Sequence, residues 1–272
     1  MEIDSPAQAA TQKVESSTDD NTMAEPQAKK QRHNDASQST DTQKEQQPQK
    51  EPTVREKFTQ FRDALDAHYD QRERVIKCSR DITALSKKLV FSLLRITQDP
   101  PATVFSDAER KHKMLLDLFT KLSKDLKGSD AQRYNRQATP GLQEYIEAIG
   151  LWVFLRDNKL ISREQVEEML GGRVPVSDAD YVLGIGDLPG EVNRFCINSI
   201  GKHDHEAVRK SLYFLRELKE GLGLIQCSGY IKDLDKKISV LDSSLEKTEH
   251  AYYSMSIRET EMREHNISAT PA

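Results

Sequence analysis

A chain of 272 residues that is 36% hydrophobic and 31% charged, with a mean hydropathy of −0.72, is too polar to be globular from end to end. No apolar run approaches the ~20 residues that cross a bilayer, and MEIDSPAQAATQK lacks the basic start and apolar stretch of a secretory signal, so the expectation is a soluble intracellular protein with no membrane partner. The net charge of −4 resides in residues 1–52, which hold six Lys/Arg against ten Asp/Glu and leave 34 of each sign beyond; this excludes a globally basic nucleic-acid binder, so any basic surface is a local patch.

Residues 1–52 contain no aromatic residue and carry runs such as STDDNT and TQKEQQPQKEP, so they cannot bury enough surface to offset chain entropy and read as a disordered tail. Within it Lys29, Lys30 and Arg32 resemble a short nuclear-localisation patch, with a solvated charge cluster as the alternative. From Val54 apolar residues recur at steps of three and four (Phe58, Phe61, Leu65, Tyr69, Ile76, Ile82, Leu85, Leu89, Leu93, Ile96), which predicts one long amphipathic helix closed by Asp99-Pro100-Pro101. At ~1.5 Å per residue it would be ~60 Å long, more than one bundle covers, so it calls for a partner chain.

Ser106 and Glu109 read as a capping box for a second helix ending near Gly128. A third is expected from Thr139-Pro140 through GLQEYIEAIGLWVFLRD, then a short one over 162–170 stopped by Gly171-Gly172. Further helices are expected over 177–200, 204–220 and 230 to about 258, leaving 53–262 as the folded domain and 263–272 as a second disordered tail. No segment sustains period-two alternation, so the fold class is an all-α bundle of about six or seven helices with a long N-terminal helix. Cys78, Cys196 and Cys227 are odd in number and scattered, which rules out a disulfide framework or a zinc ribbon.

The segment 177–200 is apolar on most sides and therefore buried, yet Asp180, Asp187, Glu191, Arg194 and Asn198 follow one another at steps that align them on one face. Two carboxylates one turn apart in a core repel each other unless a cation, an arginine or a proton compensates them. A second pair, Glu144 and Glu147, shares its face with Leu151 and Phe154. Four carboxylates from two apolar helices can form a hard oxygen cage for Mg²⁺ or Mn²⁺. A solvated face for the first helix and a structural salt bridge to Arg194 for the second remain as alternatives.

Arg133, Tyr134 and Arg136 precede the Glu144 turn, and Lys111 and Lys113 stud the helix before it. Cations around an aromatic ring suit single-stranded nucleic acid, with base stacking on the ring, against the plainer reading of a solvated basic face. No P-loop, G-x-S-x-G or Cys–His nucleophile arrangement is present.

Three strings, RDALDAHYDQRERVIKCSRDITALSKKLVF, PGLQEYIEA, and DYVLGIGDLPGE followed by RFCINSIG, resemble the translin family, and within it the branch of translin-associated factor X. The resemblance spans residues 55 to 262 and implies an α-helical, Mg²⁺-dependent endoribonuclease subunit that works in a hetero-oligomer with translin. Its substrate would be single-stranded RNA, with single-stranded DNA as a secondary ligand. It implies catalytic metal ligands in Q-E-Y-x-E-A and D-L-x-G-E, here Glu144, Glu147, Asp187 and Glu191, while the RNA-contact candidates remain Arg133, Tyr134, Arg136, Lys111 and Lys113 of the basic patch. Roles in small-interfering-RNA passenger-strand removal and transfer-RNA processing, and a location in cytoplasm and nucleus, go with it. The other function class kept open is a non-catalytic scaffold that stabilises translin and carries it to the nucleus. Two features depart from the family pattern: Pro189 stands where Thr is frequent, and the connector between Ser162 and Asp178 is short.

Overall fold

The computed structural model describes residues 51–225 and 229–268, so Lys29, Lys30, Arg32 and Cys227 lie outside it. Among the described residues the chain forms seven α-helices, one 3-10 turn and no strand: α1 (Val54–Leu94), the 3-10 turn (Arg95–Thr97), α2 (Pro101–Asp125), α3 (Ser129–Asp157), α4 (Arg163–Leu170), α5 (Asp178–Ile200), α6 (His205–Gly223) and α7 (Leu234–Ser268). None of the helices is long and apolar enough to cross a membrane.

The caps explain most boundaries. Thr53 and Glu56 cap α1 reciprocally, Ser162 and Gln165 do the same for α4, and Ser177 and Asp204 open α5 and α6 by accepting from backbone N–H groups. Gly171 and Asn158 end α4 and α3 in left-handed conformation.

Three expected boundaries need correction. The pair Ser106 and Glu109 is not a capping box, because Pro100 and Pro101 start α2 a turn and a half earlier with proline at the position that needs no N–H. Helix α3 does not begin at Pro140; it begins at Ser129 and carries Pro140 inside. The disturbed backbone there is served by Ser79 of α1, whose hydroxyl accepts from Gly141 N at 3.0 Å and donates to Ala138 O at 3.3 Å. Helix α7 begins later than expected and runs ten residues beyond Arg258, to Ser268, taking in part of the expected C-terminal tail.

Helix α1 packs on α2 and α3, α3 packs on α5, and α5 is flanked by α6 and α7. The core between them holds Ile82, Leu89, Leu93, Phe119, Tyr145, Ile146, Ile149 and Leu188, fully buried. Each such side chain contributes ~1.5–3 kcal/mol by burial. The first turns of α1 behave otherwise: every residue from Val54 to Asp70 is exposed, and burial begins only at Val75.

Candidate functional site

The α3–α5 contact is close because position 184 has no side chain. A Cβ at Gly184 would stand 2.7 Å from Ile146 Cβ and 3.0 Å from the carbonyl of Gln143, so only glycine allows this approach. The contact brings Glu144 and Glu147 of α3 opposite Asp187 and Glu191 of α5. With Lys87, Val90 and Phe91 of α1, and Arg194 of α5, they line a cleft of about 410 Å³. Asp180 and Asn198, which the sequence aligned with them, do not take part. Asp180 is buried at the start of α5, bonded to Ser177 and Gln143, and Asn198 faces outward.

Charge balance in the cleft is incomplete. Lys87 Nζ lies 3.1 Å from Glu144 Oε1, and Lys237 Nζ of α7 lies 2.5 Å from Asp187 Oδ1. Arg194 Nη1 comes within 3.1 Å of Glu191 Oε2, but at an angle that makes no hydrogen bond, so this buried oxygen has none. Glu147 has no ion pair among the described residues. Burial, reinforced by Asp187, Glu144 and Glu191, pushes its carboxyl up to about 8. Burial also raises Glu191, against the opposing pull of Arg194.

Lys237 was not among the residues expected here. Its stem crosses α5 at Gly186, where a Cβ would meet Lys237 Cδ at 2.8 Å, and its side chain is only 17% exposed. The sequence does carry a signal for it, because Lys237 falls between Leu234 and Leu241 on the buried stripe of α7, where a charged residue must answer another charge.

The donor set consists of hard carboxylate oxygens with excess negative charge and one orphaned buried oxygen, which suits a Mg²⁺-like cation. As placed, however, the carboxylates do not converge: among the described residues no three His, Cys, Asp or Glu side chains form a ready ligand set. Three of the four are instead held towards separate basic groups.

The expected RNA contacts lie elsewhere. Tyr134 is not available as a stacking platform, because its ring is buried against α1, with Oη 2.9 Å from His68 Nδ1 and donating to the His68 carbonyl at 3.3 Å. Arg133 is exposed and reaches the His68 ring at 2.8 Å. Arg136 and Lys113 are exposed, whereas Lys111 is folded onto Asp107 and largely covered. Arg133 is separated from Glu144 by eleven residues of α3, about 16 Å along the axis. The aromatic residue beside the carboxylates is Phe91, which the sequence reading passed over because it lies off the apolar stripe of α1.

The family model described as Translin family matches residues 70–259. Translin-associated protein X of Rattus norvegicus is 32% identical over 236 residues, 78% of this chain and 81% of its own length. The Translin-associated protein X homolog of Schizosaccharomyces pombe is 30% identical over 226 residues, 80% of this chain and 96% of its own. Translin of Mus musculus is more distant, 24% identical over 219 residues, 76% of this chain and 94% of its own. Among solved structures, apo-NeC3PO aligns with a TM-score of 0.60 and 23% identity over 73% of this chain and 96% of that one. The AfC3PO–duplex RNA complex aligns at 0.57 and 20% over 74% and 97%. At these identities the two structures show the shared helical fold.

Proposed function

The chain belongs to the Translin family, and from that premise we propose that it is the catalytic subunit of a hetero-oligomer with translin that hydrolyses single-stranded RNA with the help of a divalent metal ion. The observation that carries this reading is the cleft itself, where Glu144, Glu147, Asp187 and Glu191 from two helices share one open space with too little positive charge to match them. Mg²⁺, or Mn²⁺, held by Asp187, Glu191 and Glu144 would supply electrostatic stabilisation of the phosphodiester transition state and a nucleophile at neutral pH. Glu147, whose carboxyl keeps its proton near neutrality while no cation neutralises the cleft, would ionise beside the bound metal and complete the cage or orient the attacking water. Lys87, at the exposed rim, meets the phosphate. Arg133, Arg136 and Lys113 extend the charged track further along α3 and α2.

The partner-facing element is the start of α1. Val54, Phe58, Phe61, Leu65 and Tyr69 occupy one side of that helix, and each is more than 60% exposed. A continuous apolar stripe of this kind marks a protein interface, which translin would cover. The substrates in view are passenger-strand fragments of small interfering RNA or transfer-RNA processing fragments. The Lys29–Arg32 cluster would give access to the nucleus in addition to the cytoplasm.

The second reading, a non-catalytic scaffold for translin, draws on the ion pairs Lys87–Glu144 and Lys237–Asp187, which satisfy two carboxylates without a metal. The two are separated by cleavage of a labelled single-stranded RNA by the co-purified assembly, in Mg²⁺ or EDTA, with wild type and Asp187→Ala. Loss of at least a hundredfold in Mg²⁺-dependent cutting with the assembly intact supports the nuclease. Equal cutting by both proteins assigns the chain to the scaffold.

A further inference from the structure

We infer that Phe91 and Arg194 form a nucleobase platform at the mouth of the carboxylate cleft, receiving the unstacked base next to the scissile phosphate and thereby favouring single strands over duplex. The inference rests on the reading of the cleft as an RNA site and goes beyond it by assigning the base contact to Phe91, which neither the family resemblance nor the sequence pattern selected, and to Arg194, which the sequence pattern offered only as a salt-bridge partner.

An exposed phenylalanine alone means little, since single apolar residues are common on surfaces. Phe91 is set apart by its surroundings. Its ring is 65% exposed although its neighbours Val90 and Ser92 are buried, and it lines the same cleft as Glu144, Glu147, Asp187 and Glu191. The guanidinium of Arg194 stands 6.0 Å from the ring centroid, and the same Arg194 comes within 3.1 Å of Glu191. The pair thus connects an aromatic face directly to a carboxylate of the proposed catalytic set.

Cations complete the pattern. On α1, Lys87 and Lys88 precede Phe91 by four and three residues and share its side of the helix, and Arg95, which opens the 3-10 turn, follows it by four. Lys88 and Arg95 are exposed, and Lys87 reaches into the cleft to Glu144. An aromatic face fringed by backbone-binding cations is how single-stranded nucleic acids are held without sequence readout, with arginine adding a cation–π contact. A base between the ring and the guanidinium needs about 7 Å, twice the ~3.4 Å stacking distance, so Arg194 has to swing outward by about 1 Å. A paired base cannot offer its face without leaving its stack, which penalises duplex at this position.

The test uses the assembly of this chain with translin and short single-stranded RNAs in EDTA, where binding is read by fluorescence anisotropy without cleavage. One RNA set carries 2-aminopurine at successive positions and a second carries single abasic sites. Phe91→Ala is expected to weaken binding of intact RNA about tenfold and to abolish the 2-aminopurine signal at one position. Phe91→Trp is expected to restore both, and the RNA abasic at that position should bind wild type and Phe91→Ala alike. Unchanged affinity of Phe91→Ala, or an equal loss for intact and abasic RNA, overturns the platform. If such a variant still cuts RNA in Mg²⁺, the nuclease reading survives without it. If the platform signals are as expected but Mg²⁺-dependent cutting is absent from wild type, the platform stands and the nuclease reading falls.

Discussion

The first five turns of α1 and the cleft between α3 and α5 depart from the ordinary partition of residues in opposite directions. In α1 the apolar side chains Val54, Phe58, Phe61, Leu65 and Tyr69 face outward, while in the cleft four carboxylates crowd together, all but Asp187 largely covered. Both arrangements raise the free energy of the isolated chain, one through unburied apolar area and the other through desolvated like charges. On the proposed reading the same helix serves assembly at one end and chemistry at the other: beyond Val75 it turns inward, and by Lys87 and Phe91 it forms a wall of the cleft.

The largest effect is expected at the outward stripe. Replacing Phe58, Phe61 and Leu65 together by Ser should abolish the hetero-oligomer with translin in size-exclusion light scattering. The melting temperature of the chain alone should barely move, because substitutions at exposed positions away from caps and packing contacts cost within ~0.5 kcal/mol each. An intact assembly would separate the stripe from its proposed role.

In the cleft the expected effect depends on pH. The Glu147 carboxyl is raised from an ordinary 4.5 to about 8, so between these values the folded chain keeps a proton that the unfolded chain releases. The unfolded state then binds fewer protons, and stability falls as pH rises. The penalty is absent below pH ~4.5 and complete above ~8, and at ~1.36 kcal/mol per unit it amounts to a few kcal/mol. Melting of wild type in EDTA should therefore fall between pH 5 and 8, with Glu191 adding in the same direction, and Glu147→Gln should flatten most of that slope. A slope unchanged by Glu147→Gln would place the buried proton on another group.

Gly184→Ala probes the closeness that brings the carboxylates together. Its methyl would stand 2.7 Å from Ile146 Cβ, an overpacking that should cost ~1–3 kcal/mol and lower the melting temperature by ~2–4 °C per kcal/mol. The smallest change is Tyr134→Phe, which removes the bond to His68 for ~1 kcal/mol and should leave RNA affinity untouched. A clear loss of RNA binding in that variant would return Tyr134 to the RNA-contacting set.

Much of this was legible because it is local. The period of α1, the Gly171 stop and the alignment of Asp187 with Glu191 follow from neighbouring residues. What escaped depends on contacts distant in sequence. Pro140 reads as a helix start because nothing near it discloses that Ser79, sixty residues earlier, serves the backbone around it. Tyr134 reads as an exposed ring because its hydrogen-bond partner His68 and the core it joins lie on other elements. Lys237 and Phe91 belong to the cleft only through the packing of α7 and α1 against α5 and α3. In retrospect both carry a trace, a charge on a buried stripe and an aromatic ring off one.

The most direct measurement is the anomalous scattering of Mn²⁺ in crystals of the chain with its translin partner. The account predicts a peak bound by carboxylate oxygens of Asp187, Glu191 and Glu144, with the Lys237–Asp187 and Lys87–Glu144 pairs opened and the peak absent in Asp187→Ala. Crystals that bind Mn²⁺ only elsewhere, with both lysine pairs closed, would contradict it.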